Sequence, residues 1–144
     1  MKKPTVKSAK KRAWNAFSRY IRLRDCLETT GWPDVGKCCT CGIEFPFEEL
    51  EAGHFVAGRS KHILFDERGV HAQCGKCNHK KPFGLDGNPL EYYPFMVKKY
   101  GQEVVEELKA NKHKTDDNRW TIPELQAIEK EYKEKEEKLA MEQP

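Results

Sequence analysis

Two pairs of cysteines constrain this chain more than any other feature of its sequence. Cys38 and Cys41 lie in CCTCG, and Cys74 and Cys77 lie in CGKC, so that each pair has the Cys-x-x-Cys spacing. The turn between two such cysteines directs both thiolates at one ion, and four thiolates complete a closed tetrahedral zinc site. We therefore predict a structural Zn²⁺ bound by these four cysteines. A redox-active pair is the alternative.

Composition favours metal ligands over disulfides. The chain has 144 residues, the size of one domain, and no apolar run that spans a membrane, and we expect no signal peptide. We therefore expect a single domain over residues 1–144, located in the cytoplasm and without a membrane partner. Thiols in that compartment usually stay reduced. Cys26 and Cys39, outside both pairs, are expected to be buried or incidental thiols.

Basic residues are concentrated at the start of the chain. Residues 1–25 contain nine lysines and arginines against one acidic residue, although the net charge of the whole chain is only +3. Apolar residues at three- and four-residue steps in 9–25 predict an amphipathic helix within a basic arm, 1–25. Such an arm is typical of nucleic-acid binding, and a solvated tail is the alternative. The arm residues expected to contact nucleic acid are Lys10, Lys11, Arg12, Arg19 and Arg22.

The rest of the chain predicts an α+β fold. Glycine and proline indicate a loop in LETTGWPDVGK (27–37), and short segments from Cys38 to about Val70 favour hairpins within a zinc core, 38–82. NHKK (78–81) is expected to open a short helix. Residues 89–144 are predicted to be helical, and the last helix begins at a capping box in TIPE. Because that helix is nearly polar all round after Tyr132, we expect it to project into solvent or to pack on a partner.

The segment between the two cysteine pairs carries the candidate chemistry. Phosphodiester hydrolysis needs a base for water and a cation for the phosphate, and His54 in EAGHF is a suitable base. Asn78, directly after Cys77, can offer an oxygen to a hard divalent ion. Zinc would then be the scaffold and a second metal the catalyst. The alternative is a non-catalytic zinc module, in which His54 packs in a turn and Asn78 caps a helix.

The sequence also resembles the phage NinG/Rap recombination proteins. The motifs that carry this resemblance are WNAFSRYIRLRD, CTCG, EAGHF, LFDERGVHAQCGKCN, GN, GQEVVEEL and NRWTIPEL, in one order over most of residues 14–135. The resemblance implies an HNH-type (His-Me finger) nuclease that cuts branched DNA, with a treble-clef zinc core enclosing a ββα site. His54 would be the general base, and Asn78 would bind Mg²⁺ or Mn²⁺. The Cys-x-x-Cys…Cys-x-x-Cys-Asn frame is also similar to that of endonuclease VII resolvases.

Two positions depart from the family pattern, and a third departs from the pattern of many HNH sites. Glu51 stands where aspartate is common, Gly69 where asparagine is usual, and Gly53 in the place of the acid that precedes the base in many HNH sites. The second ligand of the catalytic metal therefore stays open among Glu51, Asp66 and His71.

The expected substrates are D-loops and Holliday junctions, with Arg59 and Arg68 as further phosphate contacts. A symmetric junction would suit a homodimer, for which the last helix is a candidate interface, and host or phage recombination proteins are expected partners. Two other functions stay open. One is a zinc module that binds branched DNA and recruits a recombination partner, and the other is an RNA- or ribosome-associated zinc protein.

Overall fold

The computed structural model describes residues 2–58, 60–114 and 119–143. Helices and two small antiparallel sheets make up the fold, which confirms the predicted α+β class. Arg59, a predicted DNA contact, lies outside the described residues. The elements are α1 (Val6–Thr30), β1 (Val35–Lys37), β2 (Glu44–Pro46), β3 (Leu50–His54), β4 (Val70–Cys74), α2 (Gly75–Asn78), α3 (Pro89–Tyr100), α4 (Gln102–Asn111) and α5 (Ile122–Met141), with 3₁₀ turns at Phe47–Glu49 and Glu67–Gly69.

Helix α1 is longer at both ends than the predicted helix over 9–25. It begins after a capping box in which the side chains of Thr5 and Ser8 each accept the other's backbone N–H. It ends at Gly31, whose φ of 81° is the left-handed conformation that terminates many helices. The predicted loop is therefore wrong for residues 27–30. Thr29 and Thr30 donate their hydroxyls to the carbonyls of Asp25 and Cys26 within the helix.

Helix α5 packs along α1, so the expectation that it projects into solvent is wrong for the part of the helix up to Tyr132. The rings of Phe17 and Tyr132 meet edge to face with centroids 4.8 Å apart, and Leu125 is buried against Ala9 and Ala13. This apolar stripe is narrow. Most of the rest of the helix consists of charged residues, which form surface ion pairs such as Lys133–Glu129. Because α1 covers the stripe, the stripe is not available as an interface for a second copy.

Strands β3 and β4 form a hairpin that packs against α1. Leu50 pairs with Cys74 and His54 with Val70. Leu50 and Ala72 pack against Cys26 of α1. Helix α2 follows β4 without a connecting loop and ends at Asn78, so the prediction that NHKK opens a helix is wrong.

Helices α3 and α4 form a second apolar cluster on the other side of the hairpin. Tyr92, Met96, Val105 and Leu108 are its buried members. The buried Tyr92 hydroxyl donates to the carbonyl of Gly53 at 2.7 Å, which joins α3 to β3. Among the helices of the described residues, none combines the length and the apolar character that crossing a bilayer requires.

A buried carboxylate joins α1 to the edge of β4. Asp25 is 5% exposed, and its Oδ2 accepts the backbone N–H of Ala72 at 2.7 Å. Arg24 donates to Asp25 Oδ1 at 2.8 Å and to the carbonyl of Val70 at 2.8 Å. Burial would raise the pKa of Asp25, but a hydrogen bond from His71 and the charge of Arg24 lower the pKa to about 2.

We expect Asp25→Asn to lower the free energy of unfolding at pH 7 by about 3 kcal/mol, because it leaves Arg24 buried without its counter-charge. The pKa of Asp25 is about 2 when folded and 3.8 ordinarily. The carboxylate therefore stabilises the fold above about pH 4, and this contribution is lost as the pH falls towards 2. Urea unfolding of both proteins at several pH values measures the difference.

Asp34→Asn, at an exposed position, is the matched control and should change the free energy of unfolding by less than about 0.5 kcal/mol. An effect of Asp25→Asn no larger than that of the control would contradict the assigned role of the buried carboxylate.

Candidate functional site

Four cysteines from separate parts of the chain converge on one point. The sulfurs of Cys38, Cys41, Cys74 and Cys77 all lie within 4.8 Å of one another, and Cys41 and Cys74 are 3.9 Å apart. A tetrahedral zinc ion with Zn–S bonds of about 2.3 Å places its sulfurs about 3.8 Å apart. The donor set and the spacing both fit, so the predicted cluster of four cysteines can hold a metal ion such as zinc.

One cysteine of the cluster, Cys38, favours the thiolate over the thiol even before a metal binds. Burial would raise the pKa of Cys38, but hydrogen bonds from the Thr40 hydroxyl and from backbone amides lower the pKa to about 6. Gln73 Nε2 donates to Thr40 Oγ1 at 3.1 Å, so the hydroxyl hydrogen is directed at Cys38. Burial raises the pKa of Cys74 to about 12. A bound cation opposes this effect, because it favours the thiolate.

A polar group adjoins the cysteine cluster at the end of α2. Asn78 Nδ2 donates to Glu51 Oε1 at 2.9 Å, and Glu51 Oε2 lies 2.7 Å from His79 Nε2. Glu51 is on β3, so these contacts join the hairpin to the residues that follow Cys77. The carboxylate and the amide are ligand types that a hard divalent cation takes.

Gly53 is required by the close packing between the hairpin and α2. A Cβ atom on Gly53 would lie 1.9 Å from Gln73 Oε1 and 3.0 Å from Asn78 Oδ1. Two amide oxygens therefore converge above this residue, and Gln73 Oε1 is buried without a hydrogen-bond partner among the described residues. A cation or a water molecule would satisfy such an oxygen. The same packing leaves no room for an acidic side chain at position 53.

His54 is held in one orientation at the end of β3. Its ring stacks on Trp14 of α1 with centroids 5.1 Å apart and an interplanar angle of 16°. Its Nε2 lies 3.1 Å from the carbonyl oxygen of Leu64. Since a carbonyl only accepts hydrogen bonds, Nε2 carries the proton, and the basic nitrogen of the neutral ring is Nδ1.

The structure brings three of the predicted catalytic residues to one open cleft of about 970 Å³. Glu51, His54 and Asn78 all line it. Trp14, Ser18 and Arg22 of α1 form part of its wall, and Lys80, Asp86 and Gly87 form another part.

Asp66 and His71 do not line this cleft. Asp66 caps the 3₁₀ turn before β4 and binds Arg68 through both carboxylate oxygens. His71 is 1% exposed, and its ring nitrogens contact Asp25, at 3.3 Å, and Tyr100, at 3.0 Å. Of the three residues left open as a second ligand, only Glu51 lies beside Asn78.

The predicted DNA-contacting residues are distributed unequally around the cleft. Arg22 lines it, and Lys10 and Lys11 line a groove that shares Trp14 with it. Arg19 forms an ion pair with Glu136 at 3.2 Å. The other two in the described part of the chain are Arg12, which is exposed on α1, and Arg68, which binds Asp66 and Glu107, both contacts raising its pKa.

Two residues at the cleft were missed by sequence analysis. His79 contacts Glu51, and Lys80 lines the cleft. Both stand in CNHKK, directly after a predicted ligand, and that position was the available signal. The partner of His79 lies 28 residues away in the sequence, so that contact is visible only in the fold.

Comparisons with known proteins give one consistent family. A family model described as "Bacteriophage Lambda NinG protein" matches residues 1–142. Protein ninG of Escherichia phage lambda is 33% identical over 126 residues, which are 87% of this chain and 54% of that protein. Protein ninG of Salmonella phage P22 is 32% identical over 126 residues, which are again 87% of this chain and 54% of that protein. The chain thus spans about half the length of these relatives. No solved structure matches it.

We expect Cys41→Ser to reduce bound zinc from about one ion per chain to near zero and to destabilise the fold by several kcal/mol. Cys41 is exposed, so the substitution opens no cavity in the core. Metal analysis and thermal unfolding measure the two effects. Cys39→Ser, outside the cluster, is the control and should retain the metal. Equal zinc contents in the two variants would contradict the assignment of the cluster.

Proposed function

This chain belongs to the bacteriophage lambda NinG family, and we propose that it is a divalent-metal-dependent endonuclease that cuts branched DNA. The observation that carries the proposal is the meeting of His54, Glu51 and Asn78 in one open cleft. Strands β3 and β4 followed directly by α2 have the order of a ββα site, with the four cysteines as its zinc core. We propose this unit as an HNH-type site within a treble-clef zinc core.

His54 is the proposed general base. Its Nδ1 takes a proton from a water molecule whose oxygen attacks the phosphorus, while the bond between phosphorus and the leaving oxygen breaks. The leaving oxygen then takes a proton from solvent. The hydrogen bond to Leu64 holds the required tautomer, and the face of Trp14 stabilises the imidazolium that forms.

Asn78 and Glu51 are the residues that would hold Mg²⁺ or Mn²⁺. A bound divalent ion would neutralise charge on the phosphate and on the leaving oxygen. Glu51 is one methylene longer than the aspartate common in the family. Its contacts to Asn78 and His79 fix the carboxylate at the cleft despite that length.

The basic residues and the openness of the cleft indicate the substrate class. Arg22 and Lys80 line the cleft, and Lys10 and Lys11 extend the basic surface along α1. Such a row binds phosphates without reading base sequence. A nuclease that contacts only the backbone selects substrates by shape, which is the requirement for D-loops and Holliday junctions. Phage or host recombination proteins are the proposed partners.

A second function is favoured by one observation. Because Gly53 leaves no room for the acid that precedes the base in many HNH sites, the cation would have fewer carboxylate ligands. A zinc module that binds branched DNA and recruits a recombination partner needs no such ligand. It predicts tight binding of branched DNA without cutting in Mg²⁺ or Mn²⁺.

We expect purified protein to cut labelled Holliday junctions or D-loops in Mg²⁺ or Mn²⁺, and His54→Ala to lower the cutting rate by about 10²- to 10⁴-fold. Binding should be retained, because His54 acts on the attacking water. Gel analysis of single-turnover reactions measures the rate. His113→Ala, at an exposed histidine outside the cleft, is the matched control. Wild-type rates in His54→Ala would refute the assigned base, and binding without cutting would support the recruitment module.

Glu51→Gln and Asp66→Asn separate the candidate metal ligands. We expect Glu51→Gln to raise the Mn²⁺ concentration needed for half-maximal cutting by about 10-fold or more, since it removes a charged ligand beside Asn78. Asp66→Asn should leave this concentration within about 2-fold of wild type, because Asp66 binds Arg68 outside the cleft. The opposite order of effects would assign the ligand to Asp66.

A further inference from the structure

The segment that follows α2 has a fixed shape. We call residues 79–88 the Phe83 loop. Its backbone is tied to α2 by hydrogen bonds from Leu85 N to Lys76 O, at 2.9 Å, and from Gly87 N to Cys77 O, at 2.8 Å. Within the loop, Asp86 N donates to His79 O at 2.8 Å. The second of these bonds connects the loop directly to Cys77 of the cysteine cluster.

Close packing inside the loop requires a glycine. A Cβ atom on Gly84 would lie 2.2 Å from the carbonyl oxygen of His79. Lys81 N donates to Asp86 Oδ1 at 3.0 Å, which closes the loop from the other side. The loop is therefore folded on itself and does not hang free from α2.

This ordered loop presents an aromatic ring to solvent. Phe83 is 90% exposed and belongs to none of the apolar clusters of the described residues. The ring is not used in packing within the described part of the chain, so it is available to contact another molecule. Lys80 and Lys81, both exposed, precede Phe83 by three and two residues.

The position of the loop relates Phe83 to the cleft. Lys80, Asp86 and Gly87, on either side of Phe83 in the sequence, line the cleft together with His54 and Asn78. A DNA strand bound in the cleft would therefore pass the Phe83 loop. The lysines favour a polyanion over an apolar protein surface as the molecule that meets Phe83.

We propose that Phe83 stacks on an unpaired or unstacked base at the branch point, while Lys80 and Lys81 bind the adjoining phosphates. The inference rests on the proposed action on branched DNA and adds the element that recognises the branch. An apolar side chain that inserts into duplex DNA must first separate stacked bases. A base at a branch has already lost a neighbour, so it accepts the ring at lower cost. Stacking on aromatic residues is also independent of base sequence.

The test compares Phe83→Ala, Phe83→Trp and Leu90→Ala with the wild type. Leu90 is 86% exposed at the start of α3 and does not line the cleft, so Leu90→Ala is the matched control. Fluorescence anisotropy in Ca²⁺ measures binding to a Holliday junction, to junctions with an abasic nucleotide at each branch position in turn, and to linear duplex. Thermal unfolding checks that all four proteins are folded.

We expect Phe83→Ala to weaken junction binding by between about 5-fold and about 100-fold. Duplex binding should change by less than about 2-fold, because phosphate contacts provide it. Phe83→Trp and Leu90→Ala should bind as the wild type. At least one abasic position should weaken the wild type by a similar factor and leave Phe83→Ala unaffected.

Two results would overturn the inference. If Phe83→Ala bound the junction as tightly as the wild type does, the exposed ring would be assigned to a protein partner. If Phe83→Ala lost the same factor in affinity for the junction and for duplex, the ring would have no role in branch recognition. If the wild type also cut DNA in a metal-dependent manner, neither result would contradict the proposed nuclease activity. Binding that depends on Phe83, without cutting in any metal, would support the inference and refute the nuclease.

Discussion

The convergence of four thiolates is the interaction on which the rest of the structure depends. It joins the turn after β1 to the end of β4 and to α2, and these segments share few other buried side chains. Asn78 and the Phe83 loop follow Cys77 directly, so their positions are set by the cluster. Zinc binding of this kind contributes about 10–16 kcal/mol in small domains. That is comparable to the whole stability of a domain, about 5–15 kcal/mol. A bound zinc ion would therefore decide whether the cleft exists.

The helices contribute apolar packing and part of the wall of the cleft. The α1–α5 pair forms an apolar cluster with Val70 of β4, and α1 places Trp14 and Arg22 in the wall of the cleft. Asp25, on the same helix, fixes the edge of β4. His54 is thus held between a helix that packs on the apolar core and a hairpin that packs on the cysteine cluster. A base at this position, the role proposed for His54, would need no movement of the protein to keep its tautomer and ring orientation.

The sequence predicted the parts of this arrangement that depend on spacing. The two Cys-x-x-Cys turns, the α+β class and the proximity of His54 to Asn78 follow from short motifs, and the NinG family is confirmed. The choice of Glu51 over Asp66 and His71 came only from the structure. Long-range contacts did not follow. The packing of α5 on α1 was missed because its apolar stripe is narrow among charged residues. The contact between His79 and Glu51 and the burial of His71 depend on the register of β3 and β4, which no local pattern gives.

We propose that the cysteine cluster positions a separate divalent-cation site between β3 and α2. Paramagnetic broadening of amide resonances by Mn²⁺, in the zinc-loaded protein, would locate this site. The signals of residues 51–54 and 78–79 should broaden first, at low Mn²⁺, and Glu51→Gln should abolish the effect. Broadening confined to the glutamate-rich surface of α5, with no effect at residues 51–54, would contradict a cation site at Glu51 and Asn78.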